Sequence, residues 1–206
     1  MKSGKYFVLS ALLVAALAAG YFLYDSWSRE SRIVKRISEA SCFINSACTR
    51  FGIDSRLMAS VVYGELFSNL NVLDEFDRIR AEYGFDPSVG FGQMRVSTFI
   101  WLEECSADGK NIFRSRDKKE LVKKISNDSI NIIYSACYIA LIKNRLSKEW
   151  DKEPDIRQIG SYYSLGIDHG CRKPNPEFVT PVGLAAEEFY NSDKLLSVYP
   201  RSTGTK

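Results

Sequence analysis

The stretch Asp54-Ser-Arg-Leu-Met-Ala-Ser-Val-Val-Tyr-Gly-Glu65, followed after a polar connector by Ser88-Val-Gly-Phe-Gly-Gln-Met-Arg-Val-Ser-Thr98, decides how the rest of this chain reads. Asp54 is a good helix N-cap. Leu57, Met58, Val61, Val62 and Glu65 follow at i, i+1, i+4, i+5 and i+8, so one carboxyl emerges on or beside the face that packs into a core. Apolar neighbours penalise the ionised form, so this carboxyl is expected to titrate above about 4.3, as a general acid requires. An isolated helical Glu is usually paired or solvated, so its company matters. Gly90-Phe91-Gly92-Gln93 supplies that company: two glycines around one aromatic let backbone approach a ligand closely, and Gln93 offers a neutral donor and acceptor beside it.

Working outward, the N-terminus carries the clearest targeting signal. Lys2 and Lys5 precede an uncharged run from Tyr6 to Tyr24, which is closed by Asp25, Trp27, Arg29 and Glu30. A helix over that run would be about 28 Å long, close to the hydrocarbon thickness of a bilayer. The lysines in front and Asp25 behind orient the remainder of the chain outside the cytoplasm. Ala16-Leu17-Ala18 also fits a small-x-small cleavage site, so a removable signal peptide is the rival reading. The uncleaved anchor is preferred because hydrophobicity continues past that site. The expected organisation is an anchor or signal over 1–27, one folded domain over 28–198 and a disordered tail over 199–206.

The 206 residues, 45% of them hydrophobic, suffice for one sizeable core. A net charge of +3, with Lys and Arg dispersed along the chain, gives no reason to expect nucleic acid as a partner. The five cysteines, Cys42, Cys48, Cys105, Cys137 and Cys171, suit an oxidising compartment. With no Cys-x-x-Cys and His169 as the only histidine, neither a metal site nor a cofactor is expected. One or two disulfides are anticipated, with Cys42 and Cys48 a candidate pair; Cys137 reads better as a small buried apolar residue.

Periodicity predicts a mainly helical domain. Ser31 to Arg50 reads as a helix stopped by Gly52, and the Glu65 helix follows it. Residues 68–89 are mixed, with short helical turns around Leu73 to Tyr83, and Phe67, Phe76 and Tyr83 are candidates for one wall of a cleft. Further helices are predicted from Ser97 to Cys105, from Asp117 to Ile125, in a long stretch from Ile130 behind an Asn127 cap, and from Ile156 to Ser164. Thr180-Pro181 then supplies an N-cap and an N1 proline for a last helix to about Tyr190. No alternating run of strand length stands out.

Four motifs occur in order: Gly64-Glu65; Gly90-Phe-Gly-Gln93-Met94; Asn131-Ile-Ile-Tyr-Ser-Ala-Cys-Tyr138-Ile139; and Tyr162-Tyr163-Ser164-Leu165-Gly166. In that order they resemble the lysozyme-like (SLT-type) domain of bacterial lytic transglycosylases, over about residues 35–190. The resemblance implies a helical domain with a single active-site cleft. Glu65 would be the catalytic acid, Gln93 the glutamine near it, and Tyr163 the tyrosine approaching both the carboxyl and the sugar ring. Gly90, Phe91, Met94 and Ser164 complete the implied substrate-binding set. Leu66, Gly92 and Ser164 depart from the residues usual in the family, which are Ser, Met and Asn at those places.

The resemblance further implies peptidoglycan glycan strands as partner and a bacterial envelope location with the domain in the periplasm; small size and the tether alone point to service to secretion or other cell-wall machinery. Glu65 alone would serve as acid and base, with 1,6-anhydromuramic acid as product. A hydrolytic muramidase would instead need a second carboxylate, for which Asp74, Asp77 and Asp86 are the nearest candidates. A catalytically weak wall-binding scaffold is the third reading, raised by Leu66 and Ser164.

Overall fold

In the computed structural model, which describes residues 28–68, 74–83, 85–105, 118–166 and 173–200, helix boundaries fall where local chemistry demands them. Gly52 adopts φ 66°, a left-handed conformation open to glycine at little cost, and returns its N–H to the Cys48 carbonyl to end helix α2 (Ser41–Phe51). The Asp54 carboxylate then accepts the Leu57 N–H at 2.9 Å and starts α3 (Ser55–Ser68). Upstream, the single helix expected over Ser31–Arg50 is two helices, α1 (28–39) and α2, separated by a turn at Ala40. Hydrogen bonds from Ala40 to Arg36 and from Ile44 to Ala40 run across the turn, so Ile33, Ile37, Ile44 and Ala47 still feed one buried stripe.

The polar connector holds α4 (Asp74–Glu82), after which β1 (Ser88–Val89) and β2 (Met94–Arg95) pair antiparallel, Ser88 opposite Arg95 and Val89 opposite Met94. Two residues per strand are too few to leave an alternating pattern in the sequence. Helix α5 (Val96–Cys105) follows directly, then α6 (Lys118–Ile125). Asn127 caps the 23-residue α7 (Asp128–Trp150) by accepting the Ile130 N–H, and Ile132, Ala136, Ile139, Ile142 and Leu146 run buried along it. A reciprocal capping box between Asp155 and Gln158 begins α8 (Ile156–Leu165), and Thr180 with Pro181 begins α9 (Pro181–Asn191). The described chain is therefore mainly helical.

Helix α3 is buried continuously from Met58 to Glu65, because α9, α8, α2 and α7 all pack on it. Its closest neighbour comes through Gly64: a Cβ there would lie 2.5 Å from the Val182 carbonyl oxygen, so α9 reaches α3 only because that side chain is missing. Arg56 fixes the C-terminal segment to the same helix. Its buried guanidinium donates to the carbonyls of Tyr190, Ser192 and Tyr199. Tyr199 is 3% exposed, so the tail expected from residue 199 does not begin there; Arg56 finds its acceptors only by holding that segment in place. At the other end of the chain, Glu30 accepts from the Tyr63 hydroxyl at 3.1 Å and pairs with Lys194.

The anticipated Cys42–Cys48 bridge is absent: Cys42 is an exposed free thiol and Cys48 a buried one. Six positions along α2 separate them by about 9 Å of helix rise, beyond the Cα separation of about 7 Å that a disulfide spans. Cys48 instead packs its Sγ 3.4 Å from Met58 Sδ. Cys137 is also free, half-buried against the core as expected. Cys171, the run expected to span a membrane and residues 201–206 lie outside the described residues. Among the described residues no helix is long and apolar enough to cross a membrane.

Burial pushes the Cys48 thiol from 9.0 up to about 12, a shift that the Ser55 hydrogen bond opposes and Asp54 reinforces. A raised folded-state value stabilises the fold fully below about pH 9, and that contribution is lost as pH climbs from there toward 12. Alkylation of the native protein at pH 8 should therefore modify Cys42 and spare Cys48. Cys48→Ala should flatten the decline of Tm between pH 9 and 12; an undiminished slope would place the titrating group elsewhere.

Candidate active site

Asn131, wholly buried on the first turns of α7, organises the site. Its Nδ2 donates to the carbonyls of Val89 and Ile125, both at 3.0 Å, and its Oδ1 accepts the Gly92 N–H at 2.6 Å. One amide thus ties the turn between β1 and β2 to the end of α6. The contact leaves no room for side chains: a Cβ on Gly90 would fall 2.4 Å from Asn131 Nδ2, and one on Gly92 2.1 Å from Ser135 Oγ. Gln93 closes the turn at φ 50°, a conformation costly for a residue with a Cβ, and its side-chain Nε2 donates back to the Gly90 carbonyl at 3.0 Å.

Tyr163 of α8 approaches the same turn from another direction. Its buried hydroxyl donates to the Gly92 carbonyl at 2.8 Å and lies 2.9 Å from Ser135 Oγ. Burial pushes the phenol well above its ordinary range; the Ser135 hydrogen bond opposes the shift and the nearby Glu65 charge adds to it. Tyr163 is therefore a neutral group that positions the turn. Its ring lies 5.4 Å from that of Tyr138 on α7, and together the two rings form an aromatic wall.

Glu65, only 5% exposed at the end of the buried run of α3, opens onto a cleft of about 590 Å³. Gln93, Met94, Tyr163 and Ser164 line the same cleft, so five of the seven site residues expected from sequence come together. Gly90 and Phe91 do not. Phe91 is 1% exposed in the core, with the Arg36 guanidinium 5.3 Å from its ring, because the tight turn aims it inward; Gly90 abuts Asn131. These two residues shape the turn and are not part of the cleft lining.

Of the wall expected from Phe67, Phe76 and Tyr83, neither Phe67 nor Tyr83 lines the cleft. Phe67 stacks on Tyr63, Tyr83 is exposed away from the cleft, and the Phe76 side chain lies outside the described residues. Tyr138, Tyr162, Tyr163 and Phe178 supply the aromatic surface.

The charged lining is lopsided. Among the described residues Glu65 is the one acidic side chain in the cleft, against Arg95, Arg145 and Lys173. Asp86 is occupied as a cap of α5, accepting the Ser97 N–H at 2.8 Å and the Ser97 hydroxyl at 2.6 Å. Asp77 is buried and paired with Arg80 at 3.5 Å. Neither lines the cleft, and the Asp74 side chain lies outside the described residues. Among the described residues no group of three or more His, Cys, Asp or Glu side chains converges as a metal site would need. Asn131 stands in the third sequence motif, which assigns it no role, and Arg145 and Lys173 stand in none. Arg145 reaches the cleft from α7 and Lys173 from the segment that follows α8.

No family model matches this chain, and no curated protein does.

Asn131→Ala would leave two carbonyls and one N–H buried without partners, an expected cost of about 3 kcal/mol in chemical denaturation. Ser135→Ala should cost about 1 kcal/mol, because Tyr163 keeps its bond to Gly92. Equal effects of the two substitutions would contradict the central place of the amide.

Proposed function

We propose that this chain is a peptidoglycan lytic transglycosylase with a lysozyme-like helical domain, in which Glu65 is the sole acid and base. The observation that carries this reading is the single carboxyl in the cleft among the described residues, with the candidate second carboxylates Asp77 and Asp86 engaged elsewhere. A hydrolase activating water would need a second carboxylate across the bond. One acid suffices if the sugar provides its own nucleophile.

The protonated Glu65 donates to the oxygen of the β-1,4 bond between N-acetylmuramic acid and N-acetylglucosamine. The C1–oxygen bond breaks, the glucosamine side departs with its 4-hydroxyl restored, and an oxocarbenium-like centre remains. The Glu65 carboxylate then takes the proton of the muramic acid C6 hydroxyl while that oxygen bonds to C1. The product is the 1,6-anhydro sugar, no water is consumed, and Glu65 ends protonated as it began. Gln93 on its strained turn and Tyr163 behind it hold the opposite wall at fixed distance. On this reading the N-terminal run anchors the enzyme in the inner membrane with its domain in the periplasm.

Glu65→Gln should lower wall cleavage by at least about a hundredfold while circular dichroism and Tm stay near wild type. Fragments released by the wild-type chain should weigh one water less than hydrolysed fragments. Hydrolysed masses would transfer the chain to the muramidases, and undiminished cleavage by Glu65→Gln would reject the site altogether.

A further inference from the structure

The stretch Lys173-Pro-Asn-Pro-Glu-Phe178 sets one asparagine between two prolines, whose rings fix their own φ and keep the residue before each of them out of helical backbone. The segment so stiffened is also fastened. Trp150 Nε1 of α7 donates to the Pro174 carbonyl at 2.9 Å, and Gln158 Nε2 of α8 donates to the Pro176 carbonyl at 2.9 Å. Between them the Tyr162 hydroxyl accepts the Asn175 N–H at 2.6 Å and donates to the Asn175 carbonyl at 3.1 Å. Asn175 itself lines the cleft onto which Glu65 opens, as do Pro174 and Phe178. Its side-chain Oδ1 accepts the Glu177 N–H at 3.0 Å, which fixes the orientation of the amide, because a backbone N–H is met by the oxygen and not by the nitrogen. Backbone N–H, backbone carbonyl and Oδ1 are thus all taken up within the wall. Nδ2 is left as a neutral donor with no partner among the described residues.

We infer that Asn175 reads the 2-acetamido group of a sugar in the cleft, its Nδ2 donating to the acetamido carbonyl while the methyl packs on Phe178 and Pro174. The inference rests on the proposed function for the kind of strand that enters the cleft, and on the fastened loop for the group that is read. With Oδ1 committed to Glu177, the amide can only donate, so it selects an acceptor. A carbonyl is an acceptor alone, and apolar rings on the same wall suit the methyl attached to it. The Phe178 N–H bonds to the Asn175 carbonyl at 3.1 Å and its ring lies 5.8 Å from that of Tyr162, so ring and amide are held by the same anchor. A protonated amine in place of the acetamido group offers no acceptor and meets the charge of Lys173, which lines the same cleft. The position therefore favours N-acetylated over de-N-acetylated strands. Two prolines and the Tyr162 bonds hold it before any ligand arrives, so little ordering is lost on binding.

The test uses the full-length chain carrying Glu65→Gln, so that binding is read without cleavage, with and without Asn175→Asp. Aspartate keeps an oxygen for the Glu177 N–H and removes only the donor. The probes are an N-acetylchito-oligosaccharide and the same oligosaccharide after de-N-acetylation, with affinities read by calorimetry at about pH 6, where the freed amines are protonated. Asn175→Asp should weaken binding of the N-acetylated probe about fivefold, the worth of one hydrogen bond, and bind the de-N-acetylated probe no more weakly than the parent does. General damage to the loop would weaken both probes alike. Equal weakening of the two, an unchanged affinity for the N-acetylated probe, or no binding of that probe to the parent overturns the assignment. The two readings fail separately: anhydro products from the active chain, with the N-acetylated probe unmoved by Asn175→Asp, remove the acetamido assignment alone. Selective weakening of that probe with no anhydro product removes the transglycosylase alone.

Discussion

The Asn131 amide has two N–H donors and one carbonyl, and each meets a backbone group that would otherwise be buried unpaired. The geometry of the cleft follows from that match. The turn from Gly90 to Gln93 has no side-chain bulk on its inner face, so it presses against α7 closely enough for the amide to reach both its ends. Gln93 is then forced into a conformation it would not choose, and the chain leaves in the direction that puts Met94 into the cleft. Tyr163 braces the same turn from α8 through the Gly92 carbonyl. Two helices far along the chain from this short loop thereby agree on its position.

Glu65 is positioned by a different device, the close approach of backbones. α9 lies on α3 where Gly64 has no side chain, and α8 meets α9 at Gly160 and Gly183. The three helices form a seam with little freedom to shift, since protein interiors are packed to crystal-like density. The residue following Gly64 is thus fixed by packing around a glycine, and its carboxyl faces a cleft whose far wall is fixed by hydrogen bonds. If Glu65 serves as both acid and base, as proposed, rigid supports on both sides suit it, because proton donation and recapture both need the same small separation from substrate.

Where a boundary has its own chemistry, it was legible in the chain: Asp54 before α3, Asn127 before α7, Thr180-Pro181 before α9 and Gly52 after α2 all act as their residue types predict. The turn at Ala40 was not legible, since Ala is the best helix former and nothing around it signals a break. The β1–β2 pair escaped because it is shorter than any period. The Cys42–Cys48 pairing failed because spacing along a chain says little about spacing along a helix. In the site, Glu65, Gln93, Met94, Tyr163 and Ser164 were readable from local motifs, whereas Phe91 was misread because a glycine-flanked aromatic can face a ligand or the core with equal ease. Arg145 and Lys173 carry no motif at all. Lys173 lines the cleft from a segment that is fastened to Tyr162.

The bond of Glu30 to Lys194, with Tyr63 sharing the same carboxylate, brings the first described helix and the last described segment to one place on the surface, where both line a shallow groove. Two segments 164 positions apart are therefore neighbours in space, so this edge of the bundle closes only after nearly the whole described chain has been synthesised.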